Sequence, residues 1–265
     1  MMAVSTALGF YHARQVQSLR SIRFAEPALC FVRRGEKRLS AGQHNFQAAA
    51  GEWLILPANT PLMMENCPEQ GQYAAEVLSI SHDIASAFLQ YAGADLALSP
   101  APANADTSLH IKTAPLLAQA WEKLAQAQQP GFPPLLARHY LFEVLMVAAL
   151  YGNVQVLLNP PVPGLADKVR QLLQSSPAAD WAQADVAKHF HMSTPTLRRH
   201  LAAEQQTFRD ILDDVRMHHA LHFVLSSRKN MDWIAGECGF TSPAAFSTRF
   251  RQRFGMAPAS LRKTC

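Results

Sequence analysis

The stretch FTSPAAFSTRFRQRFGMAP, residues 240–258, combines an aromatic stripe with a cluster of arginines. A helix would place three phenylalanines on one face, because they are spaced four residues apart: Phe246, Phe250 and Phe254. Arginines lie between and beside them, at Arg249, Arg251 and Arg253. Three structures fit this pattern: an amphipathic surface helix, a helix lying on a membrane, or a helix that packs through phenylalanine and offers arginine to nucleic acid.

The C-terminal half contains the same local pattern a second time. The segments DVAKHFHMSTPTLRRHL, 185–201, and WIAGECGFTSPAAFSTRF, 233–250, each contain an apolar-Ala pair followed by a tight turn. A shift of 48 residues aligns these pairs, and it also aligns Ser193-Thr194-Pro195 with Thr241-Ser242-Pro243. A short helix, a turn and a second helix opened by a hydroxyl residue and proline are typical of helix-turn-helix units.

Local residue chemistry supports two such units. Gly239 suits a left-handed turn, and His191 occupies the equivalent place. We predict that Thr194 and Ser242 cap the second helices, each with proline at the first helical position. Apolar residues then pack inward from both second helices: Leu197, Leu201, Phe246 and Phe250. The phenylalanine stripe is therefore predicted to be core, and the repeated, capped units disfavour a membrane-lying helix.

These segments resemble the C-terminal domain of the AraC/XylS family of bacterial transcription regulators. The resemblance rests on VAKHFHMSTPTLRRHL, FRDILDDVRMHHALHFVLSS and DWIAGECGFTSPAAFSTRFRQRFGMAPASLR, the last of which carries the skeleton IA…GF.S…F…F…FG..P..LR. It covers about residues 165–263. It implies seven helices, with two helix-turn-helix units that are joined by one long helix and that enter successive major grooves of DNA.

The resemblance also implies which side chains meet DNA. Base contacts are expected from Thr196, Arg198, Arg199, Ala244, Ser247 and Thr248. Backbone contacts are expected from Thr194, Ser242, Arg249, Arg251, Arg253, Arg262 and Lys263. Arginine is suited to bidentate contact with guanine, although contact with phosphate alone is the alternative. A solvated basic face remains the alternative for the backbone set.

The second unit departs from the family pattern. Many members read F-S-R-x-F where this chain reads FSTRF, so Thr248 stands at the position of the groove arginine and Arg249 follows it. One step rotates a side chain by about 100° on a helix. We therefore predict that Arg249 reaches a flank or a phosphate, and that the first unit carries more of the base recognition.

Composition and charge agree with a folded DNA-binding protein. The chain has 265 residues, 49% of them hydrophobic and 17% charged. Residues 1–160 hold ten Lys/Arg and eleven Asp/Glu, a net of −1, whereas residues 161–265 hold fourteen and nine, a net of +5. This asymmetry predicts a polyanion-binding C-terminal half. We expect a cytoplasmic protein without a membrane segment, since no signal pattern begins the chain and the longest apolar run, LFEVLMVAAL, is too short to span a bilayer.

The predicted fold class is α+β, and the break NPPVPG predicts a linker at 159–164. Short apolar runs cut by glycine and proline predict an antiparallel β domain within 1–98, and helical patterns follow in 99–158. The first region resembles the cupin-like barrel of many family members. The second resembles the family's dimerisation helices, so we expect a homodimer, although the same helices could simply cover the barrel. Residues 165–265 form the predicted all-α DNA-binding domain.

A small-molecule effector and a regulatory protein are the main alternatives for the N-terminal half, and an enzymatic cupin is a third. Its apolar residues could line an effector pocket or simply pack as core: Phe31, Phe46, Trp53, Leu56 and Met63. A basic hairpin could meet an acidic effector or be solvated edge charge: Arg33, Arg34, Lys37 and Arg38. The barrel lacks an HxH motif and the four cysteines have no metal spacing, so we expect no metal, cofactor or enzymatic activity.

We therefore predict a sequence-specific transcription regulator. Activation is the commoner role in the family, through contact with RNA polymerase beside a promoter. Two interpretations of how the regulator is controlled are open. In the first, a small-molecule effector controls it through the N-terminal domain, and in the second, a protein partner such as an anti-activator or chaperone does so.

Overall fold

A computed structural model describes residues 8–93, 109–112, 114–152, 154–159 and 164–265. The chain forms two compact units, the first made of most of the residues up to 161 and the second made mainly of residues 162–265. Residues 99–108, at the start of the predicted helical region, lie outside the described residues, and so does most of the predicted linker at 159–164. The predicted α+β fold class is confirmed, with antiparallel sheets in the first unit and helices throughout the second.

The first unit contains two antiparallel sheets. Their strands are β1 Leu8–Ala13, β2 Gln17–Ile22, β3 Ala28–Arg34, β4 Glu36–Ala41, β5 His44–Ala49, β6 Trp53–Leu56, β7 Leu62–Cys67, β8 Tyr73–Ser79 and β9 His110–Ile111. One sheet has the order β1-β8-β3-β6-β9 and the other has the order β2-β7-β4-β5. Strands β3 and β6 are nearly continuous apolar runs because both faces of their sheet are covered.

Helices cover the first sheet. They are α1 His82–Ala92, α2 Pro115–Gln126, α3 Pro134–Tyr151 and α4 Gln155–Leu158. Phe31 of β3 stacks on Trp53 of β6 with 4.5 Å between ring centroids, and Trp121 of α2 lies 5.8 Å from Phe31. The indole Nε1 of Trp121 donates to Glu76 Oε2 at 2.6 Å, whereas the buried Nε1 of Trp53 has no hydrogen-bond partner among the described residues.

Helix α3 is apolar on more than its inner face. Its 18 residues have a mean hydropathy of 1.2, so by length and composition it could cross a membrane. Residues of its inner face are buried: Ala137, Leu141, Val144, Leu145 and Ala148. Leu135 and Leu150 of the outer face are 72% and 70% exposed. Apolar side chains that stand in contact with solvent mark this face as a candidate contact surface.

The second unit consists of the seven helices that the resemblance implies. They are α5 Leu165–Gln174, α6 Gln183–His189, α7 Thr194–Ala203, α8 Phe208–Ser226, α9 Met231–Glu237, α10 Pro243–Phe254 and α11 Pro258–Lys263. Helices α6 and α7 form the first helix-turn-helix unit, and α9 and α10 form the second. The 19 residues of α8 connect them.

Candidate nucleic-acid interface

The two turns have the same backbone geometry, as the sequence repeat predicts. His191 and Gly239 both have left-handed backbones, with φ of 53° and 74°. The amide of Met192 donates to the Ala187 carbonyl at 2.8 Å, and the amide of Phe240 donates to the Ala235 carbonyl at 2.9 Å. Each helix therefore ends in the same hydrogen-bonded turn, and a side chain at Gly239 would also meet the Arg216 guanidinium at 2.9 Å.

The repeat shifts by one residue after the turn, which corrects two predictions. Ser193, and not Thr194, caps α7: its hydroxyl accepts from the Thr196 amide at 3.3 Å. Thr194 is the first helical residue, which places Pro195 second. Ser242 caps α10 as predicted. The two caps are 49 residues apart, so the second turn contains one additional residue, Thr241.

Both second helices, which we call the reading helices, pack through the predicted residues. Leu197 and Leu201 of α7 are buried against α5, α6 and α8. Phe246, Phe250 and Phe254 of α10 are fully buried, and successive rings meet edge-on at centroid distances of 5.7 and 4.8 Å. The phenylalanine stripe is therefore core, and the opposite face of α10 is left for another partner.

The outer face of α7 carries two arginines. Arg198 and Arg199 are exposed beside Ala202, and within residues 164–265 neither has an ion-pair or hydrogen-bond partner. Thr196 is half-buried, and its hydroxyl lies 2.8 Å from that of Ser193. This face presents two cations that are ready to meet an anion or a base edge.

The outer face of α10 is chemically different. Ala244, Thr248 and Arg251 are exposed, and Ser247 is half-buried. With the caps aligned at 49 residues, Ser247 takes the place of Arg198 and Thr248 takes the place of Arg199. The second reading helix thus presents hydroxyl groups where the first presents guanidinium groups.

The basic side chains predicted to meet the DNA backbone divide into two groups. Arg251 and Lys263 are exposed. Arg249 forms a two-point ion pair with Asp213 of α8, and Arg253 pairs with Asp214. Arg262 donates to carbonyl oxygens near the end of α8, including that of Val224 at 3.3 Å. The side chains of the second group are bound to partners within the protein in this structure.

Asp214 is the centre of a buried charge network that the sequence did not reveal. This carboxylate is 5% exposed. Arg170 Nε of α5 lies 3.4 Å from one of its oxygens, and His218 Nδ1 lies 3.4 Å from the other. Asp214 therefore joins α5, α8 and α10. Within the described residues no group of three or more metal-ligating side chains occurs.

The residues predicted to line an effector pocket do not face one cavity. Phe31 and Trp53 are cross-strand partners that face α2, whereas Leu56, three residues from Trp53, faces the opposite side of the sheet. Phe46 and Met63 belong to the second sheet, where they border an open depression of about 370 Å³. Met63 is 50% exposed.

The predicted basic hairpin instead contains one buried cation. Arg33 pairs with Glu76, and Arg38 pairs with Glu36. Lys37 is 5% exposed, and its Nζ donates to Asn66 Oδ1 at 2.7 Å and to Tyr73 Oη at 3.4 Å. Burial lowers the pKa of Lys37. Among the described residues no carboxylate is within ion-pairing distance of it.

Comparison with known proteins agrees with both units. A helix-turn-helix domain profile matches residues 186–264, and a profile of the ExsA N-terminal regulatory domain matches residues 27–157. The HTH-type transcriptional regulator YdeO of Escherichia coli (strain K12) is 32% identical over 123 residues, which are 46% of this chain and 48% of YdeO. The virulence regulon transcriptional activator VirF of Shigella flexneri is 27% identical over 110 residues, 42% of this chain and 41% of VirF. The match thus spans about half the length of these relatives or less.

Solved structures resemble the whole chain. An apo variant of ToxT from Vibrio cholerae superposes with a TM-score of 0.75 over 98% of both chains, at 14% identity. Wild-type ToxT bound to an unsaturated fatty acid superposes with a TM-score of 0.66 over 100% of this chain and 97% of ToxT, at 13% identity. At such low identity the likeness concerns the fold alone. The matched profiles, the relatives and the repeated helix-turn-helix geometry together show that the chain belongs to the AraC/XylS family of transcription regulators.

Proposed function

We propose that this protein binds specific DNA sequences through α7 and α10 and activates transcription beside RNA polymerase. The observation that carries the proposal is a pair of exposed arginines, without a partner among the described residues, on a capped helix whose other face is core. Residues 161–265 also carry a net charge of +5. Activation is supported by relatives described as activators, such as VirF. A protein with this role acts in the cytoplasm, where bacterial DNA is found.

The first prediction concerns the salt dependence of DNA binding. We expect the full chain to bind random-sequence duplex with an affinity that falls linearly with salt on a log–log plot. The slope is about −0.9 for each phosphate contact that a cation makes. Fluorescence anisotropy of a labelled duplex at several salt concentrations measures it. A folded protein that shows no binding at low salt would refute the proposed function.

We further propose that a small acidic molecule is the effector and that Lys37 binds its acid group. A buried ammonium without a carboxylate partner is unfavourable, and Lys37 is surrounded by neutral groups: Asn66, Tyr73 and the thiol of Cys30. An entering carboxylate would supply the missing charge. Structures of ToxT, which has this fold, are described with an unsaturated fatty acid and with a butenoic acid derivative, both carboxylic acids.

The second prediction tests the effector class. We expect native mass spectrometry and thermal shift to show binding of a monounsaturated fatty acid to the full chain, and no binding of the corresponding fatty alcohol. Lys37→Met should abolish acid binding, because its side chain has similar length without charge. Arg38→Met is the matched control, since Arg38 is exposed and pairs with Glu36. Equal binding of acid by the Lys37→Met variant would exclude Lys37 as the recognition group.

Regulation by a protein remains the alternative, and it has its own structural support. The outer face of α3 exposes Leu135, Leu136 and Leu150. We propose that a second copy of the chain covers this face in a homodimer, and a regulatory protein is the other candidate. The same native mass spectrum distinguishes them, because the homodimer has twice the mass of one chain. If neither acid nor alcohol binds, regulation by a protein is favoured.

A further inference from the structure

Two neighbouring aspartates of α8 hold two arginines that are one turn apart on α10. Arg249 donates through Nε to Asp213 Oδ1 at 2.7 Å and through a terminal nitrogen to Asp213 Oδ2 at 2.9 Å. Arg253 donates to Asp214. Two parallel hydrogen bonds fix both the distance and the plane of a guanidinium group. The pair Asp213–Arg249 therefore sets how α10 is rotated about its own axis relative to α8.

Arg249 lies at the border between the core and the exposed face of α10. One residue corresponds to about 100° of rotation on a helix, so Arg249 is displaced by that angle from Thr248 and lies toward the buried phenylalanines. Its side chain is 47% exposed, and that of Asp213 is 20% exposed. The guanidinium is near enough to the surface to reach a phosphate, but two of its five N–H donors already bind the carboxylate.

The surroundings of Arg249 favour this internal partner. Asp210 adds a second negative charge near the same guanidinium. The hydrogen bond to Asp213 raises the pKa of Arg249, so this guanidinium stays charged. Transfer of Arg249 to a phosphate would leave the Asp213 carboxylate without its partner and close to a polyanion, where like charges repel.

We infer that Asp213 withholds Arg249 from DNA, so that Arg249 is a positioning residue and not a backbone contact. The pair keeps Thr248 and Arg251 on the outer face and prevents an additional phosphate contact that would strengthen binding to every sequence. This inference rests on the proposed DNA-binding function. It replaces the sequence-based prediction that Arg249 reaches a flank or a phosphate.

The third prediction measures salt slopes for variants of the full chain on random-sequence duplex. Arg249→Ala should leave the slope unchanged. Asp213→Asn should release Arg249, raise nonspecific affinity and make the slope steeper by about 0.9, the value for one new phosphate contact. In the double variant Asp213→Asn/Arg249→Ala the slope should return to that of the wild type. Arg251→Ala is the positive control, because its loss should flatten the slope by about 0.9.

Each other outcome is informative. A flatter slope for Arg249→Ala, equal to that of Arg251→Ala, would overturn the inference. A double variant that binds like Asp213→Asn would also overturn it, because removal of a negative charge alone would then explain the gain. Asp213→Glu retains the carboxylate and should keep the wild-type slope, and circular dichroism confirms that each variant is folded. If the wild type fails to bind DNA at low salt, the proposed function fails first, and the inference falls with it.

Discussion

Replacement of Phe250 by alanine is expected to lower the free energy of unfolding of the second helix-turn-helix unit by about 3–5 kcal/mol. Phe250 is fully buried, and its ring meets those of Phe246 and Phe254 edge-on. Alanine loses the buried apolar area and leaves a cavity between two other rings, which cannot both move to fill it. Domains are commonly stable by only about 5–15 kcal/mol, so the unit should open far more often.

Hydrogen exchange of the α10 amides, followed by mass spectrometry, measures this effect locally. Local measurement is preferable here because the chain has two compact units, and one unfolding curve need not describe both. Thr248→Ala is the matched control on the same helix: Thr248 is exposed, and such changes usually stay within about 0.5 kcal/mol. A loss below about 1 kcal/mol for Phe250→Ala would show that the stripe is not packed as core.

The repeated unit was predictable from sequence because local chemistry determines it. A left-handed turn restricts the residue types at His191 and Gly239, and both backbones have the predicted conformation. The cap of α7 was misassigned because Ser193 and Thr194 are adjacent hydroxyl residues with similar capping preference. The alignment of Ser193-Thr194-Pro195 with Thr241-Ser242-Pro243 concealed the additional residue Thr241, because a hydroxyl residue stands directly before proline in both segments.

Contacts between distant residues were not predictable in the same way. Arg249 and Asp213 are 36 residues apart, and nothing local indicates that α8 and α10 bring them together. Whether Lys37 is buried depends on which face of β4 carries its side chain. Alternation along β4 places Lys37 and Leu39 on one side and Arg38 on the other. Because the residues of the hairpin include several basic side chains close together, the sequence does not reveal this alternation and suggested a uniformly charged hairpin.

The distribution of the predicted effector residues over different faces was not predictable for a related reason. The hydrophobicity of a strand residue does not reveal whether its side chain faces the interior of a barrel or a covering helix. Phe31 and Trp53 face α2, where Trp121 completes their packing. Residues 99–158 contribute helices to this side, so the first sheet is buried on both faces and supplies two apolar surfaces. Register, and not hydrophobicity, decides which surface each residue joins.

The two reading helices should differ in how they recognise DNA. We expect Arg198→Ala or Arg199→Ala to weaken binding to the specific site by about 1–3 kcal/mol, or about 5- to 150-fold, and to relax preference at one base pair. Both arginines are exposed on the outer face of α7, and their donors are uncommitted within residues 164–265. A guanidinium that binds guanine O6 and N7 together loses two directed hydrogen bonds when it is removed.

Anisotropy measured on the specific site, on its single-base variants and on random duplex distinguishes base contact from phosphate contact. Loss of a base contact lowers specific affinity much more than nonspecific affinity, whereas loss of a phosphate contact lowers both and flattens the salt slope by about 0.9. Thr248→Arg is the complementary variant, because Thr248 occupies in α10 the place of Arg199 in α7. It should change base preference in the second half of the site.

Because the two caps align, each position on α7 corresponds to one position on α10. If Arg199 binds a base, the same position on α10 should also reach a base edge once it carries arginine, since both helices begin at a serine cap and bury residues at matching positions. A Thr248→Arg variant that strengthens binding to all sequences equally would place this position over phosphate. In that case α10 would lie at a different angle in its groove from α7, and the hydroxyl groups of Ser247 and Thr248 would belong to a helix that positions the protein and does not read the sequence.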